Sequence, residues 1–212
     1  MIERNPKARA AAPSQRRLAS QQRRRCILAA AKGCFGERGF AGATVETIAR
    51  RAGVSNGLLY RFFRSKEVLF QVVLEEVVAD WVRALVPHRD AKLQTASEKL
   101  EAMLRRSVAF CRKNPLLPAL FASDPQLGLE RIEKASANRI QPHRELVASI
   151  LREGIQAGEL RPDLDVPAVA DVICQLQAHY SSRVYKRDPR FPASPRIVDA
   201  VAELIREALR AR

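Results

Sequence analysis

An all-α fold is predicted, on three observations. Apolar residues recur at three- and four-residue intervals through most of the chain. No stretch alternates apolar and polar residues with the β-branched content of a strand. Capping and breaking residues, among them Thr44, Gly53, Pro87, Pro115, Pro162 and Ser194-Pro195, cut the chain into about nine helical segments.

Taken in order, residues 1–16 carry Pro6, Pro13 and small or basic residues, and read as a disordered basic arm. From about Arg17, residues Ile27, Ala30, Ala31, Cys34 and Phe35 form one apolar stripe, and Gly36 and Gly39 end that helix near Arg38. Thr44 is an N-cap for a second, short helix with Glu46 in its first turn, and Gly53 stops it. Ser55 caps a third helix, from Asn56 to about Phe62. Ser65 caps a fourth, which carries Leu69, Val73, Val77, Trp81 and Leu85 and ends at Pro87. Ser97 opens a fifth with Leu100, Met103, Leu104, Val108 and Cys111 on one face. Asn114-Pro115 closes it. A short piece follows at about 117–123. A long pattern then runs through Ile140, Leu146, Ile150 and Leu151, with a possible break at Pro142 and an end marked by Gly154, Gly158 and Pro162. The last two helices cover about 166–187 and 194–211. Pro195 stands at the first helical position, where its missing N–H costs nothing.

The charge is unevenly placed. The 212 residues hold 37 Lys and Arg against 23 Asp and Glu, a net +14. Residues 1–66 hold 15 bases and three acids, a net of +12, which leaves +2 for everything after. The chain therefore divides into a polycationic head, suited to a polyanion, and a near-neutral remainder with another task. The boundaries are 1–16 for the arm, 17–64 for the head and 65–212 for the rest. No apolar run is long enough for a membrane span and the basic start lacks a signal peptide's apolar stretch, so a cytoplasmic protein is predicted. Cys26, Cys34, Cys111 and Cys174 have no C-x-x-C spacing, and His88, His143 and His179 are isolated, so no metal site or cofactor is predicted. No nucleophile elbow, phosphate-cradling loop or catalytic carboxylate pair is present, which argues against an enzyme.

Two short helices joined by a glycine-containing turn have helix-turn-helix geometry. In Thr44–Ser55, small Ala49 and Ala52 let the helices cross closely, and Gly53 permits the left-handed turn. The helix from Asn56 would then enter a DNA major groove N-terminus first. The set Phe40, Thr44, Ile48, Ala49, Ala52, Gly53, Val54, Ser55, Gly57, Tyr60, Phe63, Lys66 and Leu69, at these spacings, resembles the N-terminal domain of the TetR family of bacterial transcription regulators. The resemblance is close over residues 17–69 and looser beyond, where it includes Gly154, Gly158 and Pro162.

It implies a homodimer on double-stranded DNA with a pseudo-palindromic operator. Thr44, Tyr60 and Lys66 correspond to phosphate contacts and Gly57 to a close backbone approach. Asn56, Leu58 and Arg61 occupy the variable positions that face base edges. Leu58 replaces the small hydroxyl residue common there, leaving an apolar contact such as a thymine methyl. Ser55 and Arg50 complete the DNA-binding set. For Arg50 and Arg51, a solvated helix face is an equal alternative. Tyr60 has covering the head's core as its alternative reading, and the arm has either non-specific or minor-groove contact. Leu59 and Phe63 read as core.

In the family, the last two helices form a four-helix dimer interface, here 166–187 and 194–211. The broad apolar arc of the last helix independently favours an intermolecular face. The resemblance also implies a small-molecule effector among the middle helices, apolar or amphipathic, that releases a repressor from its operator. Trp81, Met103, Phe110, Phe121, His143, Gln175 and His179 are the candidate contacts, although Trp81, Met103, Phe110 and Phe121 have only the spacing of core residues and read more readily as core. A DNA-binding structural or partner-recruiting protein with no inducer is the alternative.

Overall fold

The structure is a computed structural model, and it describes residues 15–85, 95–117, 133–186 and 195–211. Among these are eight α-helices: α1 Gln15–Gly42, α2 Val45–Ala52, α3 Asn56–Phe62, α4 Lys66–Leu85, α5 Ala96–Lys113, α6 Glu133–Gln156, α7 Val166–Lys186 and α8 Pro195–Leu209. The short piece predicted at 117–123 lies outside the described residues apart from Leu117, as do Pro87, most of the arm and Phe121. The only departure from helix and loop among the described residues is a single antiparallel bridge between Leu160 and Arg210.

Helix α1 begins at Gln15, so the last two residues assigned to the arm are helical. Its predicted end is a break rather than a stop. Gly39 has φ 67°, ψ −179°, a conformation essentially reserved for glycine, and one further turn follows to Gly42. That turn brings Phe40 back against Phe70, with ring centroids 5.0 Å apart, while Phe35 meets Phe70 edge-on at 4.8 Å. The head's core of Ile27, Ala31, Phe35, Ile48, Leu59 and Phe63 is continuous with α4 through Leu69, Phe70 and Val73. At about 1.5–3 kcal/mol for each large apolar side chain removed from water, these residues supply the main driving force that closes the head.

Beyond α4 two sequence-level boundaries move. Helix α5 is capped by Thr95, not Ser97. The Thr95 hydroxyl accepts from Glu98 N at 3.1 Å, and the Glu98 carboxylate accepts from Thr95 N at 3.1 Å. Only Thr95 has an acid three residues on, so only it can close this reciprocal box. Helix α6 continues through Pro142. The missing N–H costs one intrahelical bond, but His143, Val147, Ala148, Ile150 and Leu151 are buried immediately after it and hold the helix in place. Gly154 then lets α6 pass Ala96 and Leu160 closely. A Cβ there would stand 2.6 Å from Ala96 Cβ. The polypeptide after α8 returns to the turn before α7: Arg161 N donates to Leu209 O and Ala211 N to Glu159 O, both at 3.1 Å.

Candidate nucleic-acid interface

The helix-turn-helix is built by its caps. The Thr44 hydroxyl accepts from Thr47 N at 3.2 Å and fixes the start of α2. Gly53, at φ 67° and ψ 32°, turns the chain, and its N–H closes on the Arg50 carbonyl. The Ser55 hydroxyl accepts from Leu58 N at 3.2 Å and starts α3 two residues later. From α3, Leu59 is fully buried and anchors the helix, while Asn56, Gly57, Tyr60 and Arg61 all point to solvent and Leu58 is half-buried. Tyr60 is 49% exposed, its other half lying against the head. A face with an amide, a bare backbone, a phenol and a guanidinium, on a head of high positive charge, can pair with both phosphates and base edges.

Arg50 and Arg51 separate here. Arg50 is exposed. Arg51 donates to Glu37 Oε1 at 2.7 Å and lies against Gly33, where a Cβ would meet its guanidinium at 2.9 Å. The Glu37 bond, with a weaker one to Cys34, raises its pKa. Arg51 thus ties α2 to α1. Lys66 is half-buried and has a structural role. Its ammonium donates to Phe40 O at 2.9 Å and Ala43 O at 3.1 Å, and sits 4.3 Å from the Phe40 ring centroid. The first residue of α4 therefore closes the loop between α1 and α2, and one N–H is left for any phosphate.

The effector candidates divide. Trp81 is buried and its Nε1 donates to Ser107 Oγ at 3.0 Å. The His143 ring lies 4.5 Å from the Trp81 ring, tilted by 56°. Burial pushes the His143 pKa down to about 4, with Gln177 acting weakly in the opposite sense, so the ring is neutral at physiological pH. Met103 is fully buried on α5, one turn before Ser107, and Phe110 is half-buried. Gln175 and His179 do not join this cluster. Both are exposed, and Gln175 donates to Asp171 Oδ2. They share one face of α7, and the residue between them, Gln177, is turned about 200° away and is the one that is buried. Ser107 and Gln177 are the polar members that the sequence pattern did not single out. Each interrupts an apolar helical stripe, and that interruption is their signal.

Two family models match the chain: "Bacterial regulatory proteins, tetR family" over residues 27–73 and "Tetracyclin repressor-like, C-terminal domain" over 94–201. The HTH-type transcriptional repressor KstR2 of Mycobacterium tuberculosis is 32% identical, over 69% of this chain and 74% of that protein. The fatty acid metabolism regulator protein of Bacillus subtilis is 27% identical, over 69% of this chain and 75% of its own. Among solved structures, the transcriptional regulator FadR from Bacillus subtilis in complex with stearoyl-CoA superposes with a TM-score of 0.66 at 22% identity, covering 87% of this chain and 98% of that one. The capped α2–α3 unit, the helical body behind it and the two family matches agree: this chain belongs to the TetR family and is a DNA-binding transcriptional regulator.

Proposed function

We propose that the protein is a dimeric repressor which leaves a pseudo-palindromic operator when a largely apolar small molecule occupies the body around Trp81 and His143. The observation that carries this reading is the course of α4. It begins at Lys66, bonded to the loop that precedes α2, and reaches Trp81 in the buried polar cluster. A straight helix over that interval is about 22 Å long and transmits displacement of its far end to the head. A moved head changes the separation of two recognition helices that must fit grooves about 34 Å apart. An effector with a long apolar chain is supported by the stearoyl-CoA in the similar Bacillus subtilis FadR structure and by the name of the similar Bacillus subtilis fatty acid metabolism regulator protein.

The dimer reading is supported by α7 and α8. Val172, Leu176 and Leu204 are 55%, 37% and 62% exposed and, with Val169, Ile173 and Ile205, line an apolar cleft of about 300 Å³. Such a face stays in water unless a second copy covers it.

The test is selection of bound duplex from random sequence, followed by titration of the complex with fatty acids and acyl-CoA thioesters of graded chain length. Release by one of them, and a matching loss of its affinity when operator is present, is the expected result, because coupling between two sites is reciprocal. Equal ligand affinity with and without operator excludes the switch and leaves a DNA-binding protein without an inducer.

A further inference from the structure

Among the described residues, the polar or charged side chains shut away from water are Ser107, His143 and Gln177, each at 1% exposure or less. They come from three helices, α5, α6 and α7, and Trp81 of α4 joins them. Trp81 donates to Ser107 and lies 4.5 Å from the His143 ring, and Gln177 acts on that ring from α7. Polar groups that converge from four helices inside an apolar body have the composition of a small-molecule site rather than of a core. One of them is also short of a partner. A neutral imidazole has two nitrogens on separate edges, one that gives a hydrogen bond and one that accepts. Neither His143 nitrogen has a partner at hydrogen-bonding geometry among the described residues. The Gln177 amide can serve at most one of the two. At least one ring nitrogen is therefore buried without a protein partner among the described residues, a rare and unfavourable state.

The cluster is uncharged as well. Burial holds the His143 ring neutral and pushes the Cys174 thiol, on the same helix as Gln177, up to about 12. No Lys, Arg, Asp or Glu is buried among the described residues. The neighbouring charges in sequence, Arg144 and Asp171, pair with each other toward solvent. A carboxylate or phosphate brought to His143 would lose its water and meet no counter-charge. A bare hydrocarbon end would leave the ring nitrogen as it is. An uncharged oxygen meets both conditions. Room for it can come from Met103, fully buried one turn before Ser107 on α5, because an unbranched thioether repacks readily.

We propose that the effector carries an uncharged oxygen, a hydroxyl or a ketone, on the part of its apolar frame that enters the body, where His143 hydrogen-bonds it while any charged group stays outside. This inference rests on the body around Trp81 and His143 being the effector site. It narrows the effector to an oxygenated hydrocarbon chain or ring, as against a plain saturated acyl chain. A hydroxyl suits either tautomer of the ring, since it both gives and accepts, whereas a ketone suits only the tautomer that turns its N–H toward it. A site built to bond an oxygen rejects the analogue that lacks it more strongly than an apolar pocket discriminates by size.

The test uses the full-length chain without DNA, its histidines isotope-labelled at the ring nitrogens and followed by magnetic resonance. His143 is the ring that stays neutral down to about pH 4. The probes are linear and cyclic compounds of about six to ten carbons, each as alcohol, ketone, parent hydrocarbon and carboxylate, at matched free concentrations. The alcohol or the ketone should displace a His143 ring-nitrogen resonance. It should bind about tenfold or more tightly than the hydrocarbon and the carboxylate of the same size, the effect of one buried hydrogen bond made or left unmade. His143→Phe should lose this preference and still bind the hydrocarbon, and His143→Gln, which keeps a donor and an acceptor, should retain part of it. Near-ultraviolet circular dichroism checks the fold of both, and the wild-type affinities decide by themselves if either fails to fold. Equal wild-type binding of hydrocarbon and alcohol would overturn the proposal. So would a carboxylate that binds as tightly as the alcohol, or an oxygen preference that survives in folded His143→Phe. Each of these leaves the body as the effector site and removes only the oxygen. If no probe binds the wild-type chain, the site fails and the inference fails with it. If alcohols bind at His143 but leave an operator complex intact, the inference stands and the release reading alone fails.

Discussion

Lys66 has two of its three N–H groups committed to the carbonyls of Phe40 and Ala43. Lys66→Ala should therefore lower the stability of the head by about 1–3 kcal/mol, the range for hydrogen bonds to a charged group. It should also weaken binding to every DNA sequence alike, because what it disturbs is the seating of α2 rather than any base contact. Thermal unfolding and a half-site library check both. Asn56→Ala and Arg61→Ala should instead leave stability unchanged and relax preference at one or two adjacent base pairs, at about 1–3 kcal/mol of discrimination each. His143 supplies a pH signature. Its folded pKa is about 4 and its unfolded value near 6.5, so on acidification the unfolded chain takes up the proton first. Stability then falls as pH drops from about 6.5 to 4, by about 3 kcal/mol in total, and levels off below. His143→Phe should remove this dependence in denaturant titrations at stepped pH. The buried cluster was only half legible in the sequence. Trp81 and His143 stand out by type, whereas the choice of Gln175 and His179 over Gln177 needed the phase of α7. A helix with apolar residues on several faces does not reveal its phase without knowing what packs on it.

The caps decide where helices begin and end, and they are the part of the sequence that speaks most directly. Thr44, Gly53 and Ser55 all act as their chemistry predicts. Gly53 has nothing within 4 Å of where a Cβ would go. Gly53→Ala should therefore cost only its left-handed backbone strain, about 1–2 kcal/mol, with no packing defect. Gly154→Ala is the opposite case: its Cβ would meet Ala96 Cβ at 2.6 Å and Leu160 Cδ1 at 2.8 Å. It should cost about 1–3 kcal/mol by overpacking, and Ala96→Gly in the same chain should recover part of it. Both are read by chemical denaturation. Pro142 shows why boundaries were less legible than helices. A proline interior to a helix reads as a break from sequence, yet the burial of His143, Val147 and Leu151 outweighs one missing hydrogen bond. Such packing comes from other elements and leaves no local mark.

Over the whole molecule, the division between a basic head and a neutral body follows from charge alone, and the exposed apolar face of α7 and α8 is the one the proposed dimer would cover. Leu204→Glu, on that face and 62% exposed in one chain, should leave the monomer folded while abolishing the dimer in sedimentation. Operator affinity should fall with it, because a single head covers one half-site. The joining of the two ends of the body had no such signal. The bridge between Leu160 and Arg210 links residues fifty positions apart in sequence through main-chain groups, which no side-chain pattern announces. That bridge has an entropic consequence. With Leu209 and Ala211 fastened to the turn that precedes α7, the last helix of the proposed dimer would arrive at its partner already ordered. Association then restricts side chains, and the backbone freedom of α8, about 1–2 kcal/mol per residue to fix, has been given up during folding. A chain shortened by its last three residues keeps the whole apolar face of α7 and α8. It should nonetheless dimerise more weakly, with the deficit appearing in calorimetry as a less favourable entropy.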